Sequence, residues 1–382
     1  MPRPEKLPTI ILLLLTLYPK QLTKGRMKIK SATILLAFIA ASLSLFAQKP
    51  SNATLNFREG LRKYVKKDYT TAFEYFKRAS DDGESNGDLY LGTMYFNGYG
   101  VAKDYNKAFE WYMQAASRFN SQGQLQVGLM YYEGIVVKKS AEKASEWILR
   151  SAQQGNTDAQ YLYGCMLKNG DGVAKDYAKA AEYLQLSVGG GNSDAQVALG
   201  ELYLKGLGVT PDNLKALELF TSAGNSKNPE AYLWLSQMYQ KGDGVAKDKK
   251  MAIDYLTMAA NLDYPKAQFE LALQYLNEVK DNRTGTTWLL KAGANSYPEA
   301  EFYIGQLLEK GSVFPKDIRQ AEDWYTRAAE HGHVGAQYSL GMLLLNGKGV
   351  ESNTEKGKNW LEKAAGNGYQ PAIDALKDTA KK

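Results

Sequence analysis

Gly98-Tyr99-Gly100-Val101-Ala102-Lys103-Asp104-Tyr105-Asn106-Lys107-Ala108 returns as Gly170-Asp171-Gly172-Val173-Ala174-Lys175-Asp176-Tyr177-Ala178-Lys179-Ala180, and again as Gly242-Asp243-Gly244-Val245-Ala246-Lys247-Asp248. Gly100 and Gly172 are 72 residues apart, as are Gly172 and Gly244, and a weaker copy sits midway in each interval. Val136 with Ser140 and Ala144 forms the first, and Gly208-Val209 with Asp212 and Ala216 the second. A fixed period of 36 residues is the mark of a stacked repeat array. The chain therefore reads as an all-α solenoid of about nine helix-turn-helix units.

Outward from the loop, each unit begins with a helix A. It carries an apolar residue followed by a small one: Leu91-Gly92, Val127-Gly128, Tyr163-Gly164, Leu199-Gly200, Leu235-Ser236, Leu271-Ala272, Ile304-Gly305 and Leu340-Gly341. Glycine inside a helix costs about 1 kcal/mol relative to alanine, so its recurrence implies close approach of a neighbouring helix. After the loop, Asp68, Asp104, Asp176, Asp212, Asp248, Asp281 and Asp317, with Ser140 and Asn353 in the other copies, stand where helix B needs an N-cap. Helix B then carries Trp111, Trp147, Tyr183, Leu219, Tyr255, Trp288, Trp324 and Trp360 in one column, which reads as core rather than as a sugar platform. Gly83, Gly155, Gly191, Gly332 and Gly368 end helix B; where that glycine is missing, Pro229, Pro265 and Pro298 start the next helix instead. One step is short. Asn277-Glu278-Val279-Lys280 replaces the glycine loop, so Asp281 follows Asp248 by 33 residues; a tightened turn and a candidate subdomain break are expected there.

Charge and cysteine usage narrow the function. The net charge of +6 resides in residues 1–47, where seven basic residues face Glu5 alone, leaving a neutral body. A neutral body has no footprint for a phosphate backbone, which argues against nucleic acid. Cys165 is the single cysteine, and with only His331 and His333 beside it the chain has little from which to build a metal site. Met27-Lys28-Ile29-Lys30, the apolar run from Ala32 to Phe46 and Ala47-Gln48 follow the order of a secretory signal peptide. Residues 1–26 then read as an upstream extension, 27–47 as the signal, 48–53 as a linker and 54–382 as the array with a C-terminal capping helix. An exported, periplasmic or secreted protein is expected, touching a membrane only if the leader stays uncleaved.

No motif suggests catalysis beyond what the repeat explains. Ser140-Ala141-Glu142-Lys143 matches S-x-x-K, but Ser140 stands at the cap position and the companion S-D-N and K-T-G motifs are absent. The glycine loops lack G-x-x-x-x-G-K-[ST], and His331-Gly332-His333 reads as a solvated turn. Asn52-Ala53-Thr54 and Asn282-Arg283-Thr284 match the glycosylation sequon by coincidence of composition.

The combination A-x-x-x-L-G-x-x-Y, G-x-G-V-x-x-D-x-x-K-A-x-x-W-Y and A-A-x-x-G resembles the Sel-1-like repeat family, relatives of tetratricopeptide repeats, over residues 54–377. The resemblance implies a right-handed α/α superhelix serving as a non-enzymatic protein or peptide scaffold, in bacteria often of the cell envelope, without cofactor. Some relatives staple each repeat with a disulfide, which one cysteine cannot do. Periplasmic glycan or peptidoglycan binding, or a cell-wall or β-lactam hydrolase, are the alternatives. In such superhelices helix A lines the concave side, and the partner would be met there by helix A positions that fail to repeat: Tyr90, Gln126, Leu162, Glu201, Trp234, Gln237, Lys241, Tyr303, Gln306 and Lys310. Tyr90, Trp234 and Tyr303 are the expected anchors, because aromatic side chains carry much interface energy. The competing expectation is that they pack against the next helix A.

Overall fold

The computed structural model describes residues 51–379 except Lys348. The leader and the upstream extension lie outside the described residues. Two compact units are formed, dividing between Arg118 and Phe119. In the first, α1 (Asn52–Val65) pairs with α2 (Tyr69–Asp81) and α3 (Ser85–Asn97) with α4 (Tyr105–Ser117). Ser51 caps α1, so Asn52 and Ala53 belong to the first helix rather than to a linker. The second unit runs through α5 (Ser121–Glu133), α6 (Ala141–Gln153), α7 (Thr157–Asn169), α8 (Tyr177–Gly189), α9 (Ser193–Lys205), α10 (Asn213–Asn225), α11 (Pro229–Lys241) and α12 (Lys249–Asn261). It continues with α13 (Pro265–Leu273), α14 (Asn282–Ala294), α15 (Pro298–Lys310), α16 (Ile318–Glu330), α17 (Val334–Asn346), α18 (Thr354–Gly366) and the terminal α19 (Gln370–Thr379). No strand occurs among the described residues. The α/α solenoid class expected from the period is the class observed.

The caps form as the chain predicts. Each of the nine Asp, Ser or Asn positions accepts a backbone N–H from the first turn of its helix B, at 2.9–3.4 Å. Such a cap contributes about 1 kcal/mol per helix. Helix A has caps of its own that the sequence pattern had not suggested: Asn120, Asn156, Asn192 and Asn228. Asn228 also donates to Asp194 of the preceding helix A at 2.7 Å, tying one repeat to the next.

The helix A glycine marks close approach by helix B of the same repeat. A Cβ on Gly200 would lie 2.7 Å from the Phe220 ring, and one on Gly305 would lie 2.6 Å from Tyr325. The side chains seated on these glycines (Tyr112, Ile148, Leu184, Phe220, Tyr325 and Leu361) form, with Leu256 and Leu289 of the repeats that carry Ser236 and Ala272, the buried column of helix B. The tryptophan column stands one residue earlier: Leu219 is buried, while its tryptophans are half-buried, with Trp111, Trp288, Trp324 and Trp360 packed against the core from its margin, so the core assignment holds for that edge only. Amphipathic rings suit that margin, with the apolar body inward and a cation over the face.

Turns hold their geometry even where the sequence departs. Lys67, Phe119, Lys227, Asp263 and Ser296 take the left-handed conformation that Gly83, Gly155, Gly191, Gly332 and Gly368 take elsewhere, with φ between 55° and 61°. Pro229, Pro265 and Pro298 do begin their helices, but they do not replace that turn. The shortened repeat continues α13 as a π-helical turn, Gln274–Val279, after which Lys280 turns left-handed and Asp281 caps α14. The closing bond survives the deletion: Asp281 N–H reaches Tyr275 O at 3.0 Å, as Asp248 reaches Tyr239 elsewhere. The residues on both sides belong to one compact unit, so the deletion is no subdomain break.

Candidate partner-binding face

Within the compact units a buried polar seam joins several B helices to the next helix A. The fourth residue of helix A is Gln in most repeats, and Gln160, Gln268 and Gln337 donate to Ala152, Ala260 and Ala329 carbonyls at 3.1–3.3 Å. Tyr232 does the same to Gly224 through its hydroxyl, at 2.6 Å. A buried carbonyl at a helix C-terminus needs a donor, and the amide supplies one without charge.

Two repeats place a carboxylate there instead. Asp88 and Glu301 are both fully buried and cannot donate as carboxylates. Arginine takes over: Arg118 reaches Ser80 O at 3.0 Å and Asp88 Oδ2 at 2.8 Å. Arg327 reaches Gly293 O at 3.0 Å and Glu301 Oε1 at 3.3 Å, while His331 Nδ1 lies 2.7 Å from Glu301 Oε2. Burial pushes the Asp88 carboxyl above the usual range despite Ser80 and Arg118. His331 and Gly332 form an exposed turn, as expected, but His333 leaves it to cap α17 and stack on Phe302 at 4.3 Å. Desolvation holds the His333 imidazole below its ordinary value. The seam was legible in hindsight as a recurring Gln at a core register, but not its acidic exceptions, because their partners sit 26 or 30 residues downstream.

The helix A residues expected to meet a partner are mostly half-buried and meet different fates. Tyr90 lies against Phe76 at 4.8 Å and edge-on to Tyr64 at 5.4 Å. Tyr303 stands edge-on to Phe269 at 6.0 Å, and Leu162 packs beside the Ile148 cluster. Trp234 stacks on Phe220, with centroids 5.5 Å apart and planes within 2°. These anchors are partly spent on the fold. Glu201 is held by Lys168 at 2.8 Å and Lys205 at 2.7 Å, and Lys205 also lies over the Trp234 ring at 5.6 Å. Glu201 and Trp234 are therefore brought together in one knit patch across α7, α9 and α11. Although burial opposes it, the two lysines hold the Glu201 carboxyl below the usual range. Cys165, beside this patch, has its thiol pushed up by burial. Gln126, Gln237 and Gln306 are half-buried and Lys241 is exposed, with no single site gathering them.

Lys310 is placed differently. It lines an open groove of about 750 Å³ between α15 and α17, with Lys316, Tyr338, Met342 and Asn346. A second groove of about 500 Å³ lies on the helix B side between α16 and α18, where Glu322, Glu330, Lys356 and Trp360 face one another. Among the described residues no three His, Cys, Asp or Glu side chains gather as a metal site, and no described helix is long and apolar enough to cross a membrane.

Nine consecutive matches to the Sel1 repeat cover residues 56–84, 87–118, 121–156, 157–192, 193–228, 229–264, 265–297, 298–333 and 334–369. The chain belongs to the Sel1 repeat family. Its structure is similar to that of c5321, a protective antigen of uropathogenic Escherichia coli with the same repeat fold: 29% identity, 84% of this chain and 78% of the other covered, TM-score 0.57. It is also similar to a Sel1 repeat protein from Oxalobacter formigenes, at 28% identity, with 80% and 89% covered and TM-score 0.55. No curated protein sequence matches. A Sel1 array is a scaffold of the kind that serves as a protein interaction module, typically without catalysis.

Proposed function

We propose that this Sel1 array is a non-enzymatic scaffold of the cell envelope that binds a protein or peptide through the concave surface of its A helices. The observation that carries the reading is the groove between α15 and α17, where half-buried Met342 offers apolar surface and lysines line the wall. Extended faces built from repeated helices suit chain-like partners. The S-x-x-K serine supports no nucleophile: Ser140 accepts the Lys143 amide as an N-cap and lies 2.9 Å from Glu142. Glycan binding is the weaker reading, because each of the six tryptophans already carries a cation over its ring, at 4.0–5.7 Å.

Export rests on the leader pattern from Met27 to Gln48. The test is affinity capture from fractionated cells using the natural protein and a Met342→Asp variant of equal thermal stability. A specific protein partner in the envelope fraction, lost with the variant, is the expected result. Recovery of glycan alone, or of the protein only in cytosol with an uncut leader, would reject the respective part.

A further inference from the structure

We infer that the groove between α15 and α17 receives an extended peptide whose carboxylate side chain sits between Lys310 and Lys316 and whose neighbouring apolar side chain lies on Met342. The inference deepens the scaffold reading and rests on it.

Two lysines stand at the same register in different repeats. Lys205 and Lys310 are each the last residue of an A helix. Four residues before Lys205 stands Glu201, whose Oε1 it meets at 2.7 Å. Four residues before Lys310 stands Gln306, which is neutral. The repeat has kept the ammonium and dropped its internal carboxylate. Lys241 follows Gln237 by the same spacing, but it lines no such groove.

At Lys310 two further features converge. Lys316, from the following loop, lines the same groove, so two lysines border one space. The one carboxylate in the lining, Glu309, accepts the Tyr325 hydroxyl on Oε2 at 2.6 Å and pairs with neither lysine. Among the described residues no carboxylate stands within ion-pair distance of either lysine. The floor is apolar, with Met342 half-buried and Leu343 buried, and Tyr338 and Asn346 supply polar groups along its length. Methionine adapts its shape to an incoming apolar group, and two exposed lysines lining one groove favour a carboxylate over a neutral amide. Glu201 between Lys168 and Lys205 shows what that arrangement looks like when the chain supplies the acid itself.

The test uses the full chain and three fluorescein-labelled nonapeptides that alternate Leu with Glu, with Gln or with Lys, read by fluorescence polarisation. The Leu/Glu peptide is expected to bind, to weaken at least tenfold when Glu becomes Gln, and to weaken with added salt. The double variant Lys310→Glu/Lys316→Glu, whose altered side chains are exposed and whose melting should match the natural protein, is expected to lose the Leu/Glu peptide and gain the Leu/Lys peptide. Met342→Ala should weaken the Leu/Glu peptide without altering its salt dependence. Equal binding of the Glu and Gln peptides, indifference to the charge reversal, or no binding of any peptide would overturn the groove assignment. The scaffold reading fails separately, if the natural chain captures no protein partner from envelope fractions; a partner still held by the charge-reversed chain would sustain it while rejecting this groove.

Discussion

The A-helix surface over α7, α9 and α11 and that over α15 and α17 are built from the same repeat yet arrive at opposite states. In the first, Lys168, Glu201, Lys205 and Trp234 satisfy one another, and Trp234 rests on Phe220. In the second, Glu301 is buried in the seam beneath Arg327 and His331, while Lys310 and Lys316 are left on the surface without acids. One region spends its charges on itself, and the other keeps cations for something else. An exposed aromatic or charged residue that breaks a repeat is therefore not by itself a contact residue, since the neighbouring repeat can already have claimed it.

The largest expected effect tests how far the first region is structural. Phe220→Ala removes the buried ring under Trp234 and should cost about 3–5 kcal/mol in urea unfolding. Trp234→Ala should cost about 2 kcal/mol and leave partner binding intact, whereas Met342→Ala should cost under about 1 kcal/mol of stability. If Trp234→Ala instead abolished binding while the fold held, the contrast between the regions would be wrong.

Next comes the seam beneath the second region. Arg327→Ala strips a donor from both Glu301 and the Gly293 carbonyl, and about 2–3 kcal/mol should be lost. Glu301→Gln should be within about 1 kcal/mol of the natural protein, because the amide can donate to Gly293 as Gln337 does to Ala329. A larger loss for Glu301→Gln than for Arg327→Ala, in the same unfolding experiment, would show that the acid is not a tolerated exception to the ladder.

Acid titration separates the regions further. The folded Glu201 carboxyl is depressed, so its contribution is present above the unfolded value of about 4.3 and is lost as pH falls through the lower folded value. Glu201→Gln should flatten the acid limb of the stability curve by about 1 kcal/mol, and Gln306→Glu should create such a limb beside Lys310. The smallest effect concerns what the regions share. Lys227→Gly and Ser296→Gly, at left-handed turns with φ of 61° and 57°, should each stabilise by about 0.5–1 kcal/mol, seen as a rise in Tm. A destabilisation at either would mean that the side chain is making a contact worth more than the relieved strain.

From the sequence alone came the repeat length, the two helices of each unit, the nine helix B caps and the reason for glycine in helix A. All of these follow from local chemistry: an N-cap needs its oxygen two or three residues before a free amide, and a glycine column recurs because the same pair of helices approaches each time. Even the shortened repeat was visible in Asp281, though not its π-turn, which is the way one particular backbone absorbs three missing residues while keeping the closing bond to Tyr275. What the tertiary structure alone decided is which non-repeating residues are free. Whether Lys310 has a carboxylate, or whether Trp234 shows a bare face, depends on side chains from other repeats, roughly 14 to 35 positions away in the chain. Periodicity in one dimension cannot say which of those neighbours is close enough to pair.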